Sequence, residues 1–144
     1  MKKVLFLCTG NSCRSQMAEG WTNQLLKYEF KAFSAGTRPG ILDPRAVKVM
    51  AETGVDISEH RAKSAEEFKD VAFDLVVTVC DNARETCPVW FGKAKKLHKS
   101  FEDPPFLAKE AKSEEEALAH YRRVRDEIKA FVLELPERMK RENL

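Results

Sequence analysis

Two residues that can carry out chemistry, Cys8 and Arg14, stand six positions apart in a short polar stretch that ends at Ser15. A thiolate is a strong nucleophile. A guanidinium offers a planar fork of donors that fits two oxygens of a tetrahedral oxyanion. The spacing therefore predicts a loop that binds such an anion and attacks its central atom with the sulfur of Cys8.

The elements around this stretch must position it. An apolar run over 3–7 predicts a buried strand that ends at Cys8, and a helical pattern follows over 15–27. Ligands of parallel α/β sheets bind at this edge, and a helix start attracts anions through its free N–H groups. We expect this field and Arg14 to lower the pKa of Cys8, and Gly10 to let the backbone N–H groups turn inward. The alternative is an ordinary buried cysteine.

Three further cysteines, Cys13, Cys80 and Cys87, raise the question of redox chemistry. A strand pattern over 75–79 leads to Cys80, which brings it to the same sheet edge as Cys8. Cys87 follows across a polar loop that we expect to be mobile, so thiol–disulfide exchange between these sulfurs is feasible. Zinc binding and chemically inert cysteines are the alternatives, although the spacings miss the usual two-residue gaps of zinc sites. We expect Cys13 to pack beneath the first loop without a chemical step.

Composition limits the possible partners. The chain has 144 residues, of which 33% are charged and 43% hydrophobic, with a net charge of +2. These proportions suit one globular domain over 1–144. There is no basic block typical of nucleic-acid binding, no signal-peptide pattern and no apolar run long enough for a membrane span. We therefore predict a cytoplasmic protein with reduced cysteines and without nucleic-acid or membrane partners.

The remaining segments alternate between strand and helix patterns. Strands are predicted over 30–35 and, more weakly, over 95–99, and a helix over 44–52. The last helix is capped by Ser113, carries one apolar stripe and is expected to end at Pro136. The stripe consists of Ala117, Tyr121, Val124, Ile128, Phe131 and Leu135. This alternation predicts an α/β fold with a parallel sheet and helices on both faces.

Residues 8–20 resemble the signature loop of the low-molecular-weight protein tyrosine phosphatases. They resemble still more closely the thioredoxin-coupled arsenate reductases built on that fold. The similarity continues through 34–36, Asp103-Pro104 and 124–128, and so covers nearly the whole chain. It implies a four-stranded parallel sheet flanked by helices and a complete oxyanion-binding loop. The loop residues are Thr9, Gly10, Asn11, Ser12, Cys13, Arg14 and Ser15.

The resemblance also implies roles in catalysis. Cys8 would attack arsenate beside Arg14, Asp103 would protonate the departing oxygen, and Cys80 followed by Cys87 would carry the disulfide to the surface for thioredoxin. No metal or other cofactor is implied, and phosphate or sulfate would compete with arsenate. From the residues alone, Asp103-Pro104 can equally be a turn, and Glu102 is a rival acid. The alternative function is phosphate-monoester hydrolysis through a phosphocysteine; an oxyanion-binding protein without turnover is a third possibility.

One position departs from the family. Some arsenate reductases hold a potassium ion beside the loop with four oxygen-bearing residues, and Asn11, Glu19 and Ser34 match three of them. The fourth position is Lys63 here, and our hypothesis is that its ammonium replaces potassium. The segment 90–100 is also more basic than its counterparts, which leaves the identity of the reducing partner open. The three histidines have no spacing that suggests a site and are expected to be surface or packing residues.

Overall fold

The computed structural model describes residues 1–144, with Val89 described by its backbone alone. Four parallel strands form one sheet in the order β2-β1-β3-β4. The strands are β1 (Lys2–Cys8), β2 (Phe30–Gly36), β3 (Leu75–Thr78) and β4 (Lys95–His98). The α-helices are α1 (Arg14–Leu25), α2 (Pro44–Ala51), α3 (Asp81–Glu85), α4 (Pro104–Ala108) and α5 (Glu114–Arg141), and two 3-10 helices span Ala65–Phe68 and Val89–Phe91. The predicted α/β fold with a parallel sheet is confirmed.

Strand β1 forms the centre of the core. The side chains of its four apolar residues, Val4 to Leu7, are all 0% exposed. Because alternate side chains of a strand point to opposite faces, both faces of the sheet must be covered. At its carboxyl end Cys8 lies opposite Gly36 of β2, and Leu7 lies opposite Thr78 of β3. The ends of the three strands therefore meet at one edge.

Different elements cover the two faces. On one face α1 contacts β2 through the Ser34–Glu19 hydrogen bond, and Trp21 of α1 donates its indole N–H to the carbonyl of Arg125 in α5. On the other face Phe33 makes edge-to-face contacts with neighbouring aromatic rings at 5.5 Å between centroids. The rings of this aromatic cluster belong to Phe33, Phe68, Phe73 and Phe91. The second face is thus covered by the two 3-10 helices and by the segment between the first of them and β3, which contains Phe73.

Helix α5 corrects one expectation. Ser113 caps it by accepting a hydrogen bond from the N–H of Glu116, as predicted, but the helix continues through Pro136 to Arg141. A proline inside a helix costs about 3 kcal/mol, whereas the extra turn buries Met139 and so gains about 1.5–3 kcal/mol. Met139 is only 5% exposed. Although α5 is long, neither it nor any other helix in the described chain is apolar enough to cross a membrane.

Candidate functional site

The loop between β1 and α1 is held from outside through its carbonyl groups. From Cys8 to Cys13 every backbone carbonyl accepts a hydrogen bond from beyond the loop or from α1. The donors are the N–H groups of Thr37, Arg38, Gly40, Asp43 and Met17 and the side-chain amide of Gln16. With the carbonyls occupied in this way, the N–H groups are left for the inside of the loop. The N–H of Asn11 already points at the sulfur of Cys8.

Two residues other than Gly10 give the loop its shape. Asn11 adopts a left-handed backbone with φ of 51°, which asparagine tolerates better than most residues. Gly36, opposite Cys8 in the sheet, lies so close to the loop that a Cβ atom there would be 2.5 Å from the carbonyl oxygen of Thr9. A Cβ atom on Gly10 would meet only the hydroxyl of Ser12 at 3.5 Å. The conformational role predicted for Gly10 therefore belongs to Asn11 and Gly36.

The side chain of Asn11 holds the loop from below. It is completely buried and donates to the Ser15 hydroxyl at 2.8 Å. Its own oxygen accepts from the backbone N–H of Lys63 at 2.8 Å and from Gln16 at 3.1 Å. Such a satisfied buried network fixes a single conformation. A hydroxyl that accepts from Asn11 can still donate its proton, so a bond from Ser15 to Cys8 stays a prediction.

The predicted cation cluster lies beside this network. The Lys63 ammonium is 3.8 Å from a carboxylate oxygen of Glu19, and the same oxygen accepts from the Ser34 hydroxyl at 2.6 Å. The ammonium also donates to the carbonyl of Arg61 at 2.9 Å. Burial lowers the pKa of Lys63, and Glu19 opposes this by favouring the charged form. The lysine charge therefore lies where the hypothesis requires it.

The sulfur of Cys80 reaches the oxyanion loop, where it lies 3.3 Å from the hydroxyl of Thr9, the residue that follows Cys8. The pKa of Cys80 is lowered to about 5, first by its hydrogen bond with Cys8 and further by the hydroxyl of Thr9 at 3.3 Å and the N–H of Ala83. The pKa of Cys8 is raised well above 9.0, first by that same bond and then by burial, although Arg14 opposes the rise. The pKa of Cys8 is thus shifted in the direction opposite to the one expected from Arg14 and the helix start.

Arg14 and Asp103 are brought together from opposite sides of the site. A guanidinium nitrogen of Arg14 lies 3.7 Å from the carboxylate of Asp103, and another donates to the carbonyl of Phe101 at 3.0 Å. Asp103 is the N-cap of α4, directly before Pro104. The rival acid, Glu102, instead pairs with Arg123 of α5 at 3.1 Å. Of the two carboxylates, Asp103 is the one beside the oxyanion loop.

Residues 81–86 were expected to form a mobile loop, and most of them form α3 instead. Its five residues start directly after Cys80, whose carbonyl accepts from the N–H of Arg84 at 3.2 Å. Cys87 lies just beyond the helix, half buried beside a cavity of about 300 Å³. All four cysteines are free thiols. Cys13 is buried and caps the start of α1 without a side-chain bond.

Sequence reasoning missed two histidines. His60 contacts the buried amide of Gln16 at 2.9 Å and the carboxylate of Glu19 at 3.4 Å, below the oxyanion loop. His98 contacts Thr78 at 2.7 Å and Asp81 at 3.0 Å, next to Cys80. These contacts join segments far apart in the chain, so no local spacing signals them. In the described chain no group of three or more histidine, cysteine, aspartate or glutamate side chains is arranged to hold a metal ion.

Comparison with known proteins identifies the family. The model of the low molecular weight phosphotyrosine protein phosphatases matches residues 3–144, and the chain belongs to that family. Among curated relatives, an arsenate reductase of Bacillus subtilis is 47% identical over 127 residues, which cover 88% of this chain and 89% of the relative. An arsenate reductase of Halalkalibacterium halodurans is 46% identical over the same length and shares.

Solved structures give the same grouping. A structure described as an arsenate reductase in the phosphate binding state has a TM-score of 0.79 at 32% identity and covers 94% of this chain and 96% of its own. A low molecular weight protein tyrosine phosphatase from T. tengcongensis has a TM-score of 0.74 at 30% identity and covers 96% of this chain and 99% of its own. The predicted four-stranded sheet is the one these proteins share, and the family makes this chain an enzyme with an oxyanion site.

Proposed function

We propose that this protein reduces arsenate to arsenite through Cys8, Cys80 and Cys87 and is returned to its reduced state by thioredoxin. The observation that carries the proposal is the position of Cys80, whose sulfur lies 3.3 Å from the hydroxyl of Thr9, the residue that follows Cys8 in the oxyanion loop. Phosphate-ester hydrolysis has no use for a second thiol beside the nucleophile. The arsenate reductases among the curated relatives support the same activity.

The first step joins Cys8 to arsenic. Arsenate is held by the N–H groups of the loop and by two nitrogens of Arg14. Cys8 gives its proton to the neighbouring Cys80, which makes Cys8 the thiolate at the moment of attack. A sulfur–arsenic bond forms, and one oxygen leaves as water after Asp103 gives it a proton. The overall exchange consumes one thiol and one arsenate and produces the thioester-like adduct and water.

The second step reduces arsenic. Cys80 attacks the sulfur of Cys8, the sulfur–arsenic bond breaks, and its electron pair remains on arsenic. Arsenic passes from the pentavalent to the trivalent state while the two sulfurs are oxidised to a disulfide. Arsenite, the conjugate base of a weak acid, takes up the proton that Cys80 releases. The position of the Cys80 sulfur, 3.3 Å from the hydroxyl of Thr9 next to Cys8, supports this step because exchange requires a direct approach of one sulfur to the other.

The third step moves the disulfide to Cys87 and frees Cys8. The five helical residues that follow Cys80 alone rise by roughly 7.5 Å, whereas a disulfide needs a Cα–Cα distance of about 4.4–6.8 Å. Helix α3 must therefore open for the transfer. Its five residues are fewer than a stable isolated helix needs, so opening α3 costs little free energy. Thioredoxin then reduces the Cys80–Cys87 disulfide in the cytoplasm, where thiols are kept reduced.

The test is a coupled assay with arsenate, thioredoxin, thioredoxin reductase and NADPH. We expect NADPH consumption by the wild type and none by Cys80→Ser or Cys87→Ser. Cys87→Ser keeps both the oxyanion loop and the pair of Cys8 and Cys80, so it should retain any slow hydrolysis of an aryl phosphate, which makes that hydrolysis its matched control. A wild type that hydrolyses aryl phosphate but never consumes NADPH would establish the phosphatase alternative.

A further inference from the structure

A chain of three side chains joins strands β3 and β4 to the first residue of α3. The hydroxyl of Thr78 is 2.7 Å from Nδ1 of His98, and Nε2 of His98 is 3.0 Å from a carboxylate oxygen of Asp81. Thr78 and His98 lie at the carboxyl ends of neighbouring strands, opposite each other in register. Asp81 directly follows Cys80. None of the chemistry proposed above uses these three residues.

Both ring nitrogens of His98 have a partner. A carboxylate can only accept hydrogen bonds, so Nε2 of His98 carries a hydrogen and donates it to Asp81. The hydroxyl of Thr78, which can donate or accept, pairs with Nδ1. The Thr78 end is buried, at 6% exposure, whereas the side chain of Asp81 is 74% exposed. The contact that can break without rearranging the sheet is therefore the one between His98 and Asp81.

The same imidazole also borders the cavity beside Cys87. That cavity, of about 300 Å³, is lined by His98, Thr78 and Cys87 together with the cations Arg84 and Lys96. His98 therefore contacts the start of α3 and lines the space next to the thiol beyond its end. When α3 unwinds as far as its first residue, the contact between His98 and Asp81 breaks.

We propose that His98 is a positioning residue whose hydrogen bond to Asp81 is a latch on α3; the inference rests on the proposed function. With the latch closed, α3 is formed and Cys80 faces Cys8, the arrangement needed to release arsenite. With the latch open, α3 unwinds and the thiolate of Cys87 reaches Cys80. The Cys80–Cys87 bond then forms, the Cys8–Cys80 bond breaks, and Cys8 leaves as a thiolate that takes a proton from water, so sulfur is neither oxidised nor reduced overall.

The latch makes two steps respond in opposite directions. A hydrogen bond to a charged group shifts an equilibrium by about tenfold when it is lost. In His98→Ala we expect arsenite release to slow by up to about tenfold because Cys80 faces Cys8 for less of the time. Transfer of the disulfide to Cys87 should accelerate by a similar factor because α3 opens more often. A loss of general stability would not accelerate one step while slowing the other.

Single-turnover experiments separate the two steps. Arsenite release is followed in a Cys87→Ser background, where the reaction stops at the Cys8–Cys80 disulfide. Disulfide transfer is followed with Cys87 present, by acid quenching, alkylation and mass analysis of the two disulfides. Asp81→Ala, a change at an exposed side chain, should reproduce His98→Ala, and the double variant should add nothing further. His98→Gln and Asp81→Asn, which keep a donor or an acceptor, should recover part of the effect. Glu85→Ala, on the same helix, is the matched control and should change neither step.

Two outcomes overturn the latch: both steps slow together in His98→Ala, or Asp81→Ala leaves both at the wild-type rate. A different result would reject the proposed function instead, namely no arsenite from the Cys87→Ser protein in a single turnover. In that case amide hydrogen exchange in α3 still tests the latch, since His98→Ala and Asp81→Ala should each accelerate exchange there by up to about tenfold and Glu85→Ala should not. Unchanged exchange in both would overturn the latch by itself.

Discussion

The oxyanion loop (residues 8–15) and the α3 segment (residues 80–87, which is α3 with the cysteines on either side of it) carry the reactive sulfurs of this enzyme. The two are built in opposite ways. In the loop every carbonyl from Cys8 to Cys13 is bound, and the buried Asn11 ties the loop to α1 and to Lys63. The α3 segment is one short helix, held at its start by an exposed Asp81. A preorganised loop stabilises a transition state without rearranging. A segment that must bring one sulfur to another has to change its conformation.

This difference suggests a division of labour. Changes to the loop should impair everything that depends on oxyanion chemistry, including any hydrolysis of phosphate esters. Changes to the segment should alter only the steps in which the cysteines exchange bonds and should leave the hydrolysis of phosphate esters intact. Each prediction below assigns a residue to one side of this division.

The largest effect is expected at Asp103, which belongs with the loop. Asp103→Asn should lower both arsenate turnover and aryl phosphate hydrolysis by about 10²–10⁴-fold, because a general acid contributes about that much. Initial rates with each substrate measure the change. Glu102→Gln is the matched control, since Glu102 pairs with Arg123 and should leave both rates within about twofold. If Asp103→Asn lowered arsenate turnover but not aryl phosphate hydrolysis, Asp103 would act in the steps between the cysteines and not in the oxyanion chemistry.

A smaller effect is expected where β2 supports the loop. Gly36→Ala places a methyl group 2.5 Å from the carbonyl oxygen of Thr9, so the loop must shift. Such overpacking costs about 1–3 kcal/mol. We expect that loss in the free energy of unfolding, together with weaker phosphate binding in calorimetry. Gly40→Ala is the control on the neighbouring segment, because its methyl group would lie 4.0 Å from the carbonyl oxygen of Gly10. Equal phosphate affinities for the two variants would mean that the loop is not rigid.

The two regions also differ in how much the sequence predicts. The loop is a local pattern of strand, polar turn and helix, so its residues could be identified from spacing alone. The low pKa of Cys80 could not, because its main causes, Cys8 and Thr9, belong to a segment about seventy residues earlier in the chain. The His98 latch joins three elements in the same non-local way.

Two local expectations failed because tertiary packing outweighed them. Pro136 was expected to end α5, but Met139, beyond it, is buried and the helix continues. The polar stretch after Cys80 was expected to be a loop, yet it forms α3 against β1 and β3. Where an element rests on the core, its local propensity decides less than the surface it covers.

A spectroscopic titration tests where the charge of the thiol pair lies. Because the pKa of Cys80 is lowered to about 5, its thiolate should persist at neutral pH and disappear as the pH falls through about 5. The difference in ultraviolet thiolate absorbance between the wild type and Cys80→Ser measures this. Cys87→Ser is the control: burial raises the pKa of Cys87, so its removal should leave the signal near pH 5 unchanged. If the first thiol titrated near the ordinary value of 9.0, neither Cys8 nor Cys80 would be a thiolate at neutral pH.

The smallest effect is expected from the cation beneath the loop. If the Lys63 ammonium supplies the positive charge beside Glu19, replacing a large inert cation with potassium at constant ionic strength should leave kcat/KM and the melting temperature unchanged. In Lys63→Gln the carboxylate of Glu19 loses the ammonium beside it. The loop keeps the hydrogen bond from the backbone N–H of residue 63 to Asn11. That variant should be less stable and should regain stability when potassium is added. A wild type that responds to potassium would show that the loop draws part of its rigidity from a bound ion.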